Sequence, residues 1–316
     1  SIPGLADPIS GTVSVDGLGW TATVPAGLLS GLTTGIVQVT VTAQDAAANP
    51  ASSTGSLDIE LSALPLPTIN TPFVDGILNA TEAAATQLIT GTTGITGAGQ
   101  TVLVTIDGTP LLVTVGNNGI WTATVPSAVL QGLTDAQHTV SVTVTDSAGN
   151  TSTPATLDFT ALTHVLPVAG IDTPFGDGTL NLDEASDPLG QVITGTTGIT
   201  SPGQTVTVVI NGNAVPVVVD SAAGTWSVSL TSAELLGLQD GTWPVVVTVT
   251  DSAGNASVLP VSVGVQIHTV PVPTIDLPFG DGTLNIAEST AVTGQTLTGT
   301  TGEIGGGKPS AWRLRA

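Results

Sequence analysis

A period of about 103 residues runs through the chain and sets its architecture before any local feature does. The string "VTVTDSAGN" ends at Asn150 and again at Asn255, "TGTTGIT" fills 90–96 and 194–200, and "LTGTTGEI" returns at 297–304. Gly91, Gly195 and Gly299 stand 104 residues apart, while Trp20, Trp121 and Trp226 are separated by 101 and 105. Solenoid repeats are roughly 20 to 50 residues long and share one core; a unit twice that length encloses its own, so each copy reads as a domain. Residues 65–166 and 167–270 form two complete modules. Residues 1–64 match only the later two-thirds of a module, lacking its first strands, and 271–307 match only an opening third. The chain therefore reads as a window cut from a longer array. Its last stretch, 308–316 ("KPSAWRLRA"), matches no other copy and is expected to be a cloning scar or out-of-frame readthrough.

Within 65–166, short alternating runs separated by Gly, Asn, Asp and Pro predict seven strands. They fall at 65–70, 87–93, 101–107, 110–115, 120–125, 138–145 and 151–160, with one helical turn in "PSAVLQGL" and in its relative "TSAELLGL". Seven short strands in about 100 residues predict all-β, immunoglobulin-like Greek-key sandwiches, arranged in tandem as an elongated rod and lacking a disulfide because the chain has no Cys. A transmembrane barrel needs aromatic girdles, which 3% aromatic residues do not supply. Trp20, Trp121 and Trp226 each follow a Gly turn at one strand position and are expected to anchor cores; Trp243 is the better candidate for an exposed ring, though it too is expected to be structural.

The charge distribution excludes several functions. All three basic side chains, Lys308, Arg313 and Arg315, lie in the terminal stretch, so the 24 carboxylates of residues 1–307 have no Lys or Arg within their own modules. Nucleic acid and anionic membrane surfaces are bound through such cations and are not expected partners. No run of about 20 apolar residues spans a bilayer, and no basic start marks a signal peptide. No Gly-x-Ser-x-Gly elbow, phosphate loop or His-Glu-x-x-His occurs, and no catalytic residue is expected. His164 and His268 precede linkers and suggest solvated or packing roles, while His138 has no equivalent.

One segment breaks the alternating pattern in three copies: Asp-Gly-x-Leu-Asn-x-x-Glu. It supplies Asp75, Asn79 and Glu82, then Asp177, Asn181 and Glu184, then Asp281, Asn285 and Glu288. This spacing equals positions 5, 6, 8, 9 and 12 of an EF-hand loop, although the first half of that loop has no counterpart. A second turn, "TDSAGN", places Asp146 with Asn150 and Asp251 with Asn255; its relative "TDAAANP" carries Asp45 and Asn49 and departs from the pattern at Ala47 and Ala48. Strand parity puts the two turns at opposite ends of a sandwich, so stacked modules would bring Asp75, Asn79 and Glu82 towards Asp251 and Asn255, with linker Asp172 nearby. Hard oxygen donors without Cys point to calcium. The competing reading is that these are ordinary turn sequences whose exposed carboxylates need no partner.

Together, "TGTTGIT", "GxWTATVP", "VTVTDSAGN" and "PFGDGTLNxxE" resemble the tandem bacterial immunoglobulin-like repeats of giant biofilm-associated surface adhesins of Gram-negative bacteria. The resemblance covers residues 1–307. It implies export as an unfolded chain by a type I system, an extracellular location at the cell surface, and a calcium-stiffened stalk promoting aggregation and biofilm. Its partners would be neighbouring modules and possible contacts with other cells, surfaces or matrix polymers. Two alternatives stay open: an accessory spacer or carbohydrate-binding module of a large secreted enzyme, and a homotypic self-associating repeat whose uncharged strands pair at sheet edges.

Overall fold

The structure, a computed structural model, describes residues 1–15, 17–268, 272–300 and 302; the expected scar at 308–316 lies outside them. Two compact units make up the chain: Ser1–Leu166 together with Ala253–Asn255, and Pro167–Ser252 together with the residues from Ala256 onward.

In the first unit, period-two alternation builds a sandwich. Along Ile120–Val125, Trp121, Ala123 and Val125 are fully buried while the residues between them face out; along Gln137–Thr145, Val140, Val142 and Val144 are buried likewise. The four-stranded sheet runs Leu112–Val115, Ile120–Val125, Gln87–Thr92, Thr68–Ile69. The five-stranded sheet facing it runs Ile77–Asn79, Ala155–Leu162, Gln137–Thr145, Thr101–Ile106, Thr109–Pro110. Leu78, Ile89, Val104, Leu130 and Phe159 complete the core, and each fully buried aliphatic or aromatic side chain contributes about 1.5–3 kcal/mol. This is the expected immunoglobulin-like sandwich.

Two local differences have physical causes. The run expected as one strand at 110–115 divides: Thr109–Pro110 pairs with Thr105 and Ile106, whereas Leu112–Val115 pairs in the opposite sheet. Pro110 brings no N–H to a ladder, and the chain changes sheets beside it. The Asp-Gly-x-Leu-Asn segment, read as a loop, contains the short strand Ile77–Asn79, which pairs in parallel with Thr160–Leu162. Three residues are too few to show alternation. The helical turns fall where expected, at Ser127–Leu130 and Ser232–Leu236, the latter held by a Thr231–Glu234 capping box.

Residues 1–64 behave differently. They form two antiparallel pairs, Thr12–Val13 with Trp20–Thr21 and Gly35–Gln44 with Pro50–Ile59, and among the described residues of this stretch only Ile59 is buried. Trp20 is 57% exposed, so the expectation that it anchors a core is corrected. Residues 1–64 hold no counterpart of Gln87–Thr92, the strand that pairs beside Trp121.

The second unit repeats the sandwich, with Thr179–Asn181, Ala256–Gln266, Gly241–Thr250, Thr205–Ile210 and Asn213–Val215 in one sheet and Gln191–Thr196, Thr225–Leu230 and Val218–Asp220 in the other. Its core exchanges large for small. Phe159 and His138 of the first sandwich become Gly264 and Trp243, each 105 residues on. Trp243 packs against the cluster of Leu180, Leu235, Val265 and Ile267 and donates Nε1–H to the Gln239 carbonyl at 2.9 Å. Trp243 is thus half-buried structure, the role expected of it even as the better candidate for an exposed ring.

Candidate metal-binding turns

The repeated acidic segment is a compact set of hydrogen bonds. Asp75 Oδ1 accepts from Ile77 N at 2.8 Å, Gly76 O accepts from Thr160 N, and Leu78 is fully buried beneath the turn. Asn79 then caps the helical turn Ala80–Ala83: its Oδ1 accepts from Glu82 N at 2.9 Å while Glu82 Oε2 accepts from Asn79 N at 3.0 Å. The second copy reproduces this with Asp177 on Thr179 N and a box between Asn181 and Glu184; the third does so with Asp281 on Thr283 N and a box between Asn285 and Glu288. The Asn-x-x-Glu spacing that matches half of an EF-hand loop is also capping-box spacing. Each carboxylate keeps further acceptor sites beyond these bonds.

Backbone strain marks the first copy. Phe73 and Val74 both have positive φ, 54° and 71°, where the other copies place Phe175 at 57° with Gly176 at 81°, and Phe279 at 57° with Gly280 at 85°. A β-branched residue in the left-handed region is penalised by about 1–2 kcal/mol, and Val74 is 94% exposed, so it recovers nothing by packing. Val74→Gly is therefore expected to stabilise the first unit by about 1 kcal/mol after the entropic cost of glycine, read as a raised urea midpoint.

The second turn is closed by its Asp and Asn. Asp146 Oδ1 accepts from Ala148 N at 3.0 Å and Asn150 N at 2.8 Å, and Oδ2 accepts from Asn150 Nδ2 at 2.9 Å. The Asn150 side-chain amide, joined by backbone N–H groups and opposed by partial loss of hydration, holds the Asp146 carboxyl below the usual carboxylate range. Asp45 and Asn49 make the same three contacts despite the changed loop, with Ala48 at φ 59° where Gly149 has 92°. The Asn49 amide likewise lowers the Asp45 pKa.

The Asn of this turn also reaches outward. Asn150 Nδ2 donates to the Glu60 carbonyl at 2.9 Å, and Asn255, which belongs to the first unit, donates Nδ2–H to the equivalent carbonyl of Leu162 at 2.9 Å. Asn255 Oδ1 accepts from Ala80 N at 2.9 Å, one residue past the Asn79 cap. The structure thus brings Asn255 to the Asn79–Glu82 box. Asp251 is buried within the second unit, where Asp172 accepts the Thr194 hydroxyl. Glu60, absent from the sequence candidates because its counterpart is Leu162, lines a cleft of about 350 Å³ in the first unit with Asp146, Asn150, Gln100, Leu64 and Ile95. Among the described residues no three Asp, Glu or His side chains form one cluster. The residue types at these turns, one or two carboxylates with amide and carbonyl oxygens, are the donor chemistry suited to a hard cation taking six to eight oxygens.

Histidine supplies internal counter-ions in modules that hold no Lys or Arg. His138, 7% exposed, places Nδ1 2.6 Å from Asp107 Oδ2 and Nε2 2.8 Å from the Thr134 carbonyl. Both nitrogens face acceptors, so the doubly protonated ring satisfies the site. Burial works against that charge, but the Thr134 and Asp107 contacts outweigh it and raise the pKa above 6.5. A raised folded-state pKa contributes stability that is complete below about 6.5 and lost as pH rises through the folded value. The first unit is expected to melt lower at pH 9 than at pH 6, and His138→Phe to remove most of that difference in pH-dependent calorimetry.

The model for the bacterial Ig-like domain matches residues 79–161 and 185–267, more than half of the chain. The chain belongs to the bacterial Ig-like domain family. Among solved structures, it is similar to a Ca²⁺-stabilized adhesin with which an Antarctic bacterium reaches out and binds ice, at 30% identity over 88% of this chain and 67% of that one (TM-score 0.38). It is also similar to a 1.5-MDa bacterial ice-binding adhesin, at 28% identity over 83% and 88% (TM-score 0.40). A bacterial immunoglobulin-like domain of the M. primoryensis ice-binding adhesin shares 34% identity over 31% of this chain and 96% of that domain (TM-score 0.25). No curated protein matches it. No helix among the described residues is long and apolar enough to cross a membrane.

Proposed function

We propose that the chain is a segment of the stalk of an extracellular bacterial surface adhesin, with modules at 65–166 and 167–270 flanked by partial copies at 1–64 and 271–307. It supports cell aggregation and biofilm, has no catalysis of its own, and is stiffened by calcium at the repeated turns. One observation carries the reading: within the first unit, Asn255 joins the Leu162 carbonyl to Ala80, the first residue of the Asn79-capped turn, so a side-chain amide meets the repeated acidic segment. In a stretch without Lys or Arg, the positive charge available to these carboxylates must come from His or from a bound cation. The residues that would hold the ion are Asp75, Asn79 and Glu82 with Asn255, their counterparts Asp177, Asn181, Glu184, Asp281, Asn285 and Glu288, and the turns of Asp146 with Asn150 and of Asp251, together with Asp172. Bound calcium would neutralise these carboxylates and lock the turns.

Calcium at 100 times its dissociation constant is expected to stabilise the chain by about 2.7 kcal/mol over chelator. Calorimetry with calcium and with chelator, on the wild type and on Asp75→Asn with Glu82→Gln, tests this. Equal melting temperatures in calcium and in chelator for the wild type would sink the calcium reading.

A further inference from the structure

The chain leaves each sandwich at the end of its last strand, and there a single side chain collects the backbone N–H groups that the ladder no longer uses. Asp135 receives Thr163 N at 2.7 Å, His164 N at 3.1 Å and Val165 N at 2.7 Å, with His164 Nδ1 at 3.2 Å. In the second unit Asp240 receives Ile267 N at 2.8 Å, His268 N at 3.0 Å and His268 Nδ1 at 3.2 Å. At the matching place in residues 1–64, the Thr34 hydroxyl accepts from Leu61 N at 3.2 Å and lies 3.0 Å from the Ser62 hydroxyl. All three acceptors follow the short helical turn of their copy, so the position recurs although its chemistry differs.

We infer that Asp135 and Asp240 are exit clamps: ionised, each fixes the residues that follow the last strand, and protonated, each lets them go. A carboxylate is an acceptor at both oxygens, and charge-assisted bonds to N–H groups are about twice as strong as neutral ones. Protonation turns one oxygen into a donor facing other donors. Thr34 cannot make that change, so the exit at Leu61 is indifferent to acid. The titratable group facing Asp135 is His164, at 3.2 Å; the nearby His138 is committed to Asp107 and to the Thr134 carbonyl. Partial burial opposes the charge on Asp135, but the N–H groups of Thr163 and Val165 and the His164 ring and amide outweigh it and hold its pKa at about 2. A depressed value places the stabilisation above pH 3.8 and its loss as pH falls towards 2.

Amide hydrogen exchange on the full chain at pH 5 tests the clamp. In Asp135→Ala, the amides of Thr163, His164 and Val165 are expected to exchange at least about tenfold faster, with Leu61 and the core amide of Val142 unchanged. Equal protection in wild type and variant overturns the proposal. Should the variant not fold, a titration of the wild-type amide shifts takes its place. The three amides must move together with a midpoint of about 2 while Val142 stays still; separate midpoints, or one shared with Val142, overturn it. Calcium enters neither measurement, so failure here leaves the stalk reading standing.

Discussion

Trp121→Ala is expected to cost the first unit about 3–5 kcal/mol, lowering its melting temperature by on the order of 10–20 °C. The ring is fully buried between the two sheets, and the neighbouring backbone is shaped to receive it. A Cβ at Gly91 would lie 2.5 Å from Trp121 Cζ2 and 2.0 Å from the Thr68 carbonyl, so only glycine allows the strand this close. The second sandwich repeats the pair: a Cβ at Gly195 would lie 2.5 Å from Trp226 Cζ2 and 2.1 Å from the Gly170 carbonyl. Trp226→Ala should therefore destabilise the second unit comparably, and lose in addition the Nε1–H bond to Gly170 at 3.0 Å. Trp20→Ala, at an exposed ring, is expected to change stability by less than about 0.5 kcal/mol. Urea denaturation of the three variants separates these outcomes, and a costly Trp20→Ala would mean that residues 1–64 hold a core after all.

The second large effect concerns the leucine inside the acidic motif. Leu78 and Leu180 are fully buried, whereas Leu284 in the third copy is 52% exposed. Leu78→Ala and Leu180→Ala are each expected to cost about 2–5 kcal/mol, with the cavity left behind adding to the lost transfer energy. Leu284→Ala should cost well under 1 kcal/mol. Identical motifs thus carry different energies, and thermal melts of the three variants read the difference directly. A similar cost at all three positions would show that local turn geometry, not core contact, sets the motif's worth.

Much of the fold was legible in the chain. The period near 103 residues, the alternation within 101–107, 120–125 and 138–145, and the Gly and Trp landmarks together imply tandem immunoglobulin-like sandwiches, and the family model matches in two tandem copies. The parallel strand Ile77–Asn79 was not legible, because three residues carry no period and their partner lies 83 residues on, at Thr160–Leu162. The capping boxes were visible in principle, since Asn-x-x-Glu is their spacing, but one pattern serves both a cap and half of a metal loop. Glu60 left no signal at all: it lies where the other copy has Leu162, and only the fold brings it to line one cleft with Asp146.

By itself the sequence determined the class of sandwich, its tandem repetition and the absence of Lys and Arg from residues 1–307, because periodicity and composition are properties of the chain alone. Tertiary structure alone decided that His138 pairs with Asp107 across 31 residues, that Asn255 reaches Leu162 and Ala80, and that one of three equivalent tryptophans is exposed. Those outcomes depend on which strands cover a position and on which distant groups share its space, and local spacing carries no record of either.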